Sequence, residues 1–557
     1  MKEESINLNS EKIKNIPLSN IREKVLLTLR KQKINKSHLT NRLKFIMDNE
    51  QSKNYSISIN ALNISSNNLV NQFNNTNDQI QKLNLLLMML TSSDQEILKF
   101  SLYHIRNFTF TQDEKTAKEI NMINIINKKV IDFLYNLICI PNQDKQIIYT
   151  ILEIFIYLTY NLNDYIEILL EKSEVIFKFA KETNDISLKK KYLWCILHLL
   201  SGTEEQIQKL LNKCSNLSDF IVNELENSIY DIKKNIDILP IYICLFGCLF
   251  FSSIETDKLF ENESKIFKLI QFIIKCTNIT YNIYLFKESI NTFKLILENY
   301  VNNPKFSENH EYNKKFKSVL KKSDVSKFLS HYLYNLIDEQ KKSYDNIDFI
   351  IIEDIFSILV NISVLSDFEC EKMITCNILE YINFIFNLFH QNPKIIKKGK
   401  IFSLILTLLY NFTSCDDSDI IDSMTRKVYI VRSLMDLYKL PESQKYKCNI
   451  LEILEKVLEY PNTKVKTELT VDHIEDFYSY CLDEKEIKNS EEIIQYVLKG
   501  IKILLEYGNL FGKYNAMKIQ FERKEVRTKL EKISLDCKSK NNSMFAAKIL
   551  NEFFKEN

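Results

Sequence analysis

The sequence predicts an all-α chain of stacked helical repeats, and three observations predict it. First, only 6 Gly and 7 Pro stand among 557 residues, about 2% where ordinary proteins carry roughly 12%. Gly supplies the positive φ of tight hairpins and the close backbone approach of phosphate loops. Their scarcity argues against sandwiches, barrels and Gly-rich nucleotide loops. Second, 45% of the residues are apolar and 26% charged. That is enough to fill a core, yet the chain exceeds the roughly 250–300 residues at which one compact core stops growing. Third, apolar segments with helical 3-and-4 spacing alternate with short polar breaks along most of the chain.

In chain order, residues 1–55 are polar with one basic, weakly amphipathic stretch, and 56–76 read as an Asn- and Ser-rich linker. Repeats are expected over 77–510 and a capping repeat over 511–557. The opening MKEESINLNSEK has no apolar signal core. From Arg22 to Lys44 there are eight Lys or Arg and one Glu, a charge of +7. The whole chain is +2, so the rest is −5. Asn20 can cap a short helix, with Glu23 at its third position and Val25, Leu26 and Leu29 as a narrow apolar strip. Such a segment folds on an acidic partner or stays a solvated tail.

Helical segments follow at Ile80–Leu90, Ile97–Phe108, Val130–Ile138, Ile147–Tyr160 and Leu188–Leu200. Ile238–Ile254 is uncharged throughout and reads as a fully buried helix, with a membrane segment as the alternative. Later segments are Ile351–Val364, Ile401–Phe412, Ile450–Leu458, Ile493–Tyr507 and Ser543–Phe554, and prolines fall between or at the starts of such segments. The 12 Cys include no CxxC pair and read as buried thiols; Cys244 and Cys248 lack a neighbouring His. No metal or cofactor is expected. The seven His are scattered and no nucleophile motif is present, so no catalytic residue is assigned. The basic excess is confined to the tail, which disfavours direct nucleic-acid binding, and the tail's apolar strip is too small for a membrane anchor.

The period sharpens the fold. Apolar segments ending in an Asn-like break are HIRNF (Asn107), CILHLL (His198), ILVNIS (Asn361) and TLLYNFTS (Asn411). The intervals of 91, 163 and 50 residues divide into units of roughly 40–50, the period of armadillo or HEAT arrays. The expectation is a right-handed superhelical armadillo-repeat solenoid of about ten repeats with a concave face, behind a flexible basic segment.

Three features resemble importin α, the armadillo adaptor of nuclear import. The run Leu29-Arg30-Lys31-Gln32-Lys33 with Leu39 and Arg42 is similar to its importin-β-binding segment, to which Arg22 also belongs. Tyr103…Asn107, Trp194…His198, Ser357…Asn361 and Thr407…Asn411 resemble degenerate copies of the family's Trp-x-x-x-Asn signature. IIQYVLKGIKILLEYGN (493–509) and LEKISLDCKSKNNSMFAAKILNEFF (530–554) resemble its last two repeats. The resemblance implies an adaptor moving between cytoplasm and nucleus. Importin β would bind Arg22, Leu29, Arg30, Lys31, Lys33, Leu39 and Arg42. Basic nuclear-localisation-signal cargo would lie against Tyr103, Asn107, Trp194, His198, Asn361 and Asn411, and a nuclear export receptor would use the C-terminal repeat. The family's basic cluster is reduced here to isolated charges at Arg42 and Lys44, which implies weak autoinhibition. The alternative is an armadillo scaffold for protein partners that has lost classical cargo recognition. The family's repeat-opening Gly is almost absent, so Asn, Asp and Ser are expected at the turns.

Overall fold

The computed structural model describes residues 68–111, 125–161, 164–230, 232–250, 263–276, 283–302, 310–340, 349–365, 367–397, 400–415, 417–483, 490–510 and 515–555. Among them there is no strand. The chain divides into two compact units, residues 1–273 with 281–292, and residues 274–280 with 293–557.

In the first unit α1 (Asn68–Asn75), α2 (Gln79–Met89) and α3 (Gln95–Thr111) open the array. α4 (Lys128–Ile138) and α5 (Lys145–Asn161) follow, then the triplet α6 (Asp164–Leu170), α7 (Ser173–Glu182) and α8 (Ile186–Leu199). The triplet α9 (Glu204–Lys213), α10 (Leu217–Tyr230) and α11 (Leu239–Leu249) precedes α12 (Glu263–Cys276) and α13 (Ile283–Asn302), through which the boundary passes. The array starts earlier than the sequence suggests. The stretch read as linker to residue 76 contains α1, whose Val70 and Phe73 are buried, with the Phe73 ring edge-on to Phe100 at 5.7 Å.

The second unit shows the repeat most plainly, with five helix triplets in succession. They are α14 (His310–Ser323), α15 (Val325–Gln340) and α16 (Phe349–Ser363); α17 (Asp367–Thr375), α18 (Ile378–Gln391) and α19 (Ile401–Thr413); α20 (Ser418–Asp422), α21 (Ile430–Tyr438) and α22 (Lys447–Glu459). α23 (Thr463–Val471), α24 (Ile474–Asp483) and α25 (Glu491–Asn509) follow, then α26 (Ala516–Arg523), α27 (Val526–Asp536) and α28 (Lys540–Ile549). In each unit the third helices pack side by side: α3, α5, α8 and α11 in the first; α16, α19, α22, α25 and α28 in the second.

Polar residues start many helices, as the composition requires. Asp78, Asn127, Asp185, Thr203, Asp417, Asn462 and Asn515 accept hydrogen bonds from the first free backbone N–H groups. Thr203 and Gln206 form a reciprocal capping box.

The turn between first and second helices of each triplet in the second unit departs from expectation. Each ends on one left-handed residue just before the second helix: Asp324 (φ 50°), Asn377 (62°), Tyr429 (56°), His473 (59°) and Glu525 (57°). A β-branched residue follows each one (Val325, Ile378, Ile430, Ile474 and Val526) and is buried at the start of the second helix. Asn and Asp tolerate this backbone; Tyr, His and Glu occupy it at a cost of about 1–2 kcal/mol. Ser, expected at such turns, takes none of these five positions. Tertiary burial of the next residue overrides local preference.

One of the few glycines sits where no side chain fits. A Cβ on Gly500 in α25 would lie 2.2 Å from the ring of Tyr478 in α24, which is fully enclosed.

Two substitutions test these points. Tyr429 is 54% exposed, so Tyr429→Gly removes strain and little packing. It should raise the unfolding free energy by about 1 kcal/mol, read from urea midpoints. Gly500→Ala should lower it by about 1–3 kcal/mol in the same assay through overpacking.

Candidate binding surface

The third-helix ladders are where the sequence placed its cargo residues, and the two units treat them differently. In the first unit the ladder is closed by apolar residues. Every residue from Thr150 to Thr159 in α5, from Lys191 to Leu200 in and after α8, and from Ile238 to Phe250 around α11 is buried. This explains the uncharged stretch at 238–254: Pro240 enters at the first turn of α11, and all of Leu239–Leu249 is enclosed. No described helix is long and apolar enough to cross a membrane.

Trp194 is 4% exposed and His198 1%. Their rings lie 6.3 Å apart, and the Trp194 indole N–H has no hydrogen-bond acceptor among the described residues. Here the Trp194 ring is core packing; a peptide would have to displace its neighbours to stack on it. Burial pushes the His198 imidazole down to about 3, so it is neutral at physiological pH. Tyr103 and Asn107 on α3 remain half-buried, Tyr103 edge-on to His104 and Asn107 accepting from Arg106 Nη1 at 3.3 Å.

A charged chain runs through this apolar ladder. Glu153 on α5 meets Arg106 Nε of α3 at 2.5 Å and Lys191 Nζ of α8 at 3.0 Å. The Glu153 and Lys191 side chains are both under a tenth exposed. Lys191 also sits 4.7 Å over the Tyr149 ring, and burial together with the Glu153 charge pushes the Tyr157 hydroxyl up to about 12. One carboxylate thus joins three successive long helices.

In the second unit a polar stripe is partly open. Glu353 and Ser357 on α16, Ser403, Thr407, Tyr410 and Asn411 on α19, Glu452 and Lys456 on α22, and Tyr496 and Lys499 on α25 are all half-exposed. They recur at the helical spacing that shares one face. Their charges interact across helices. Lys499 Nζ bonds Glu455 Oε1 at 2.7 Å and lies 5.6 Å over the Tyr496 ring. Burial, then Glu452, Glu455 and Glu492, raise the Tyr496 hydroxyl far above its ordinary range. Deeper in the ladder, Lys294 Nζ meets Asp354 at 2.5 Å; burial pulls this lysine down, and Asp354 and Glu298 outweigh it.

Asn361 is 3% exposed, below the stripe, while Asn411 is half-buried and donates from Nδ2 to Ser363 Oγ at 2.8 Å. The six sequence-assigned cargo residues therefore do not form one exposed array. Tyr103 and Asn107 are accessible in one unit and Asn411 in the other, while Trp194, His198 and Asn361 are interior. Sequence reasoning passed over Glu452, Lys456, Tyr496 and Lys499. Tyr496 and Gly500 stand four apart, the same spacing as Thr407 and Asn411, and that could have marked them. Arg22, Leu29, Arg30, Lys31, Lys33, Leu39 and Arg42 lie outside the described residues. Among the described residues no group of three or more His, Cys, Asp and Glu is placed to hold a metal ion.

No protein-family model matches the chain, and no curated protein matches it. Solved structures do. An engineered protein from a structural genomics consortium is similar at a TM-score of 0.56 and 13% identity, over 85% of this chain and 99% of that one. A structure concerned with a phosphorylation switch in the cadherin and β-catenin interaction is similar at 0.53 and 11% identity, over 87% and 90%. A designed armadillo repeat protein is matched at 0.35 and 14% identity, over 50% of this chain and 99% of that one. The fold is an all-α repeat solenoid.

Two measurements check the closed ladder. Glu153→Gln leaves Arg106 and Lys191 facing an uncharged amide, and should cost about 3 kcal/mol in urea unfolding. His198 has a folded pKa below its unfolded one, so the unfolded chain binds the extra proton between about 6.5 and 3. Stability therefore falls as pH drops through that window. In His198→Leu the fall from pH 6.5 to 5 should be shallower by about 1 kcal/mol per pH unit.

Proposed function

We propose that this chain is a binding scaffold that holds an extended polypeptide segment along the third-helix stripe of its second unit. The observation that carries this reading is the contrast between the two ladders: apolar and closed around α5, α8 and α11, polar and half-open from α16 to α25. Packed helices stand about 8–10 Å apart, and an extended peptide rises about 3.3 Å per residue. Every third residue would then meet a new helix. Ser357, Thr407 and Asn411 can hydrogen-bond a peptide backbone, Tyr410 and Tyr496 offer flat rings, and Glu452 and Lys456 can read charge.

The finer reading is a nuclear import adaptor, favoured by the N-terminal segment with Leu29-Arg30-Lys31, Lys33, Leu39 and Arg42. In that reading importin β binds this segment, basic cargo lies on the third-helix face, an export receptor uses the C-terminal repeat, and the protein moves between cytoplasm and nucleus. Interior Trp194 and His198 imply that cargo does not use the ring slots of the family in the first unit.

Peptides selected from a random display library on the full chain test the first reading. Thr407→Ala with Tyr496→Ala should weaken the selected peptides tenfold or more while leaving the melting temperature nearly unchanged. Unaltered affinity would overturn the stripe as the site. A peptide of residues 15–50 should bind importin β if the adaptor reading holds, and its silence leaves the scaffold alone.

A further inference from the structure

We propose a second docking surface, for an acidic polypeptide segment, formed by α14 and the start of α17 in the second unit. α14 carries five lysines and one glutamate, a net +4 over His310–Ser323. Lys314, Lys317 and Lys321 are three and four residues apart, so they line one helical stripe about 10 Å long. Phe316, Val319 and Leu320 face the other way and are buried, which turns the lysine stripe to solvent. Lys322 and Lys327 are exposed beside it.

The stripe ends on an aromatic platform. Phe368 is 42% exposed, with Lys321 Nζ 4.4 Å and Lys372 Nζ 5.4 Å from its ring centre. Nearby carboxylates do not neutralise the stripe. Asp324 is held by Lys372 at 2.5 Å, and Glu369 is buried and accepts from Ser326 Oγ at 2.6 Å. Glu311, Asp367 and Glu371 are exposed at the margins. Lys314, Lys317, Lys321, Lys322 and Lys327 form no ion pair with any described residue, whereas lysines on first and second helices elsewhere reach acids of a neighbouring repeat, as Lys128 does Glu171 and Lys529 does Asp483.

Carboxylates of a partner would complete the same pairing from outside, and Phe368 would take an apolar side chain between them. A nucleic acid fits less well, because two ammonium groups already lie over the ring on which a base would stack. A membrane fits less well, because one exposed ring gives little apolar area.

The test uses the full chain and a fluorescent, photoreactive polyglutamate peptide, with a single-stranded oligonucleotide and vesicles of phosphatidylserine and phosphatidylcholine as competing probes. The peptide should crosslink to α14 and α17. Charge reversal of Lys314, Lys317 and Lys321 to Glu should weaken it tenfold or more, while the same reversal at exposed Lys532, Lys538 and Lys540 should not. Phe368→Ala should weaken it several-fold. Crosslinks confined to residues 20–44, equal loss in the two triple variants, or preferred binding of the oligonucleotide or the vesicles through these lysines would each overturn the proposal. If the first triple variant melts early, the crosslink sites and Phe368→Ala decide it.

Discussion

No repeat of this chain can cover its own apolar face, and everything else follows from that. A helix triplet leaves its long third helix apolar on the sides that meet the repeats before and after it. Burial of roughly 25 cal/mol per Å² is available only when the next triplet stacks on, so the core grows along the array instead of around a centre. Within each unit the third helices make this continuous seam, and first and second helices are positioned by it. The buried Val325, Ile378, Ile430, Ile474 and Val526 show how strongly. Each draws the backbone before it into the left-handed region whatever residue stands there.

Inter-repeat charge pairs are laid over this seam with the stride of the repeat. Lys99 reaches Asp144, Lys128 reaches Glu171, Lys145 reaches Asp185 and Lys209 reaches Glu167. Arg432 reaches Asp472 and Lys524 reaches Asp476 in the second unit. Exposed pairs of this kind contribute little each, about 0–1 kcal/mol. Their recurrence fits a common orientation of neighbours within each unit more than it adds stability.

Much of the fold was legible in the sequence because periodicity and Gly scarcity are local statistics. The long third helices, their order and the roughly 40–50-residue stride could be read from apolar spacing alone, while most first and second helices of the triplets could not. The left-handed turns at Tyr429, His473 and Glu525 could not, since nothing in those side chains signals positive φ. Nor could α1, whose Asn-rich sequence NLVNQFNN hides Val70 and Phe73 as its only inward residues. The candidate surface was less legible still. His198 and Asn411 look equivalent in register, yet one is interior and the other half-exposed, because burial depends on which helices lie alongside. The charge of Glu452, Lys456 and Lys499 was visible, but not that they share a face with Thr407.

The Arg106–Glu153–Lys191 chain bears on how such an array can change length over evolution. Repeat proteins gain and lose modules by duplication and excision, which an apolar seam tolerates because one apolar face fits the next. Here a carboxylate on the middle helix is shared by cations before and after it. Excising the module with α5 would bring Arg106 and Lys191 together with no anion between them. Copying it would set two acids side by side. This stretch of the array is thereby locked in number and order, and drift in module count is confined to repeats joined by interchangeable faces.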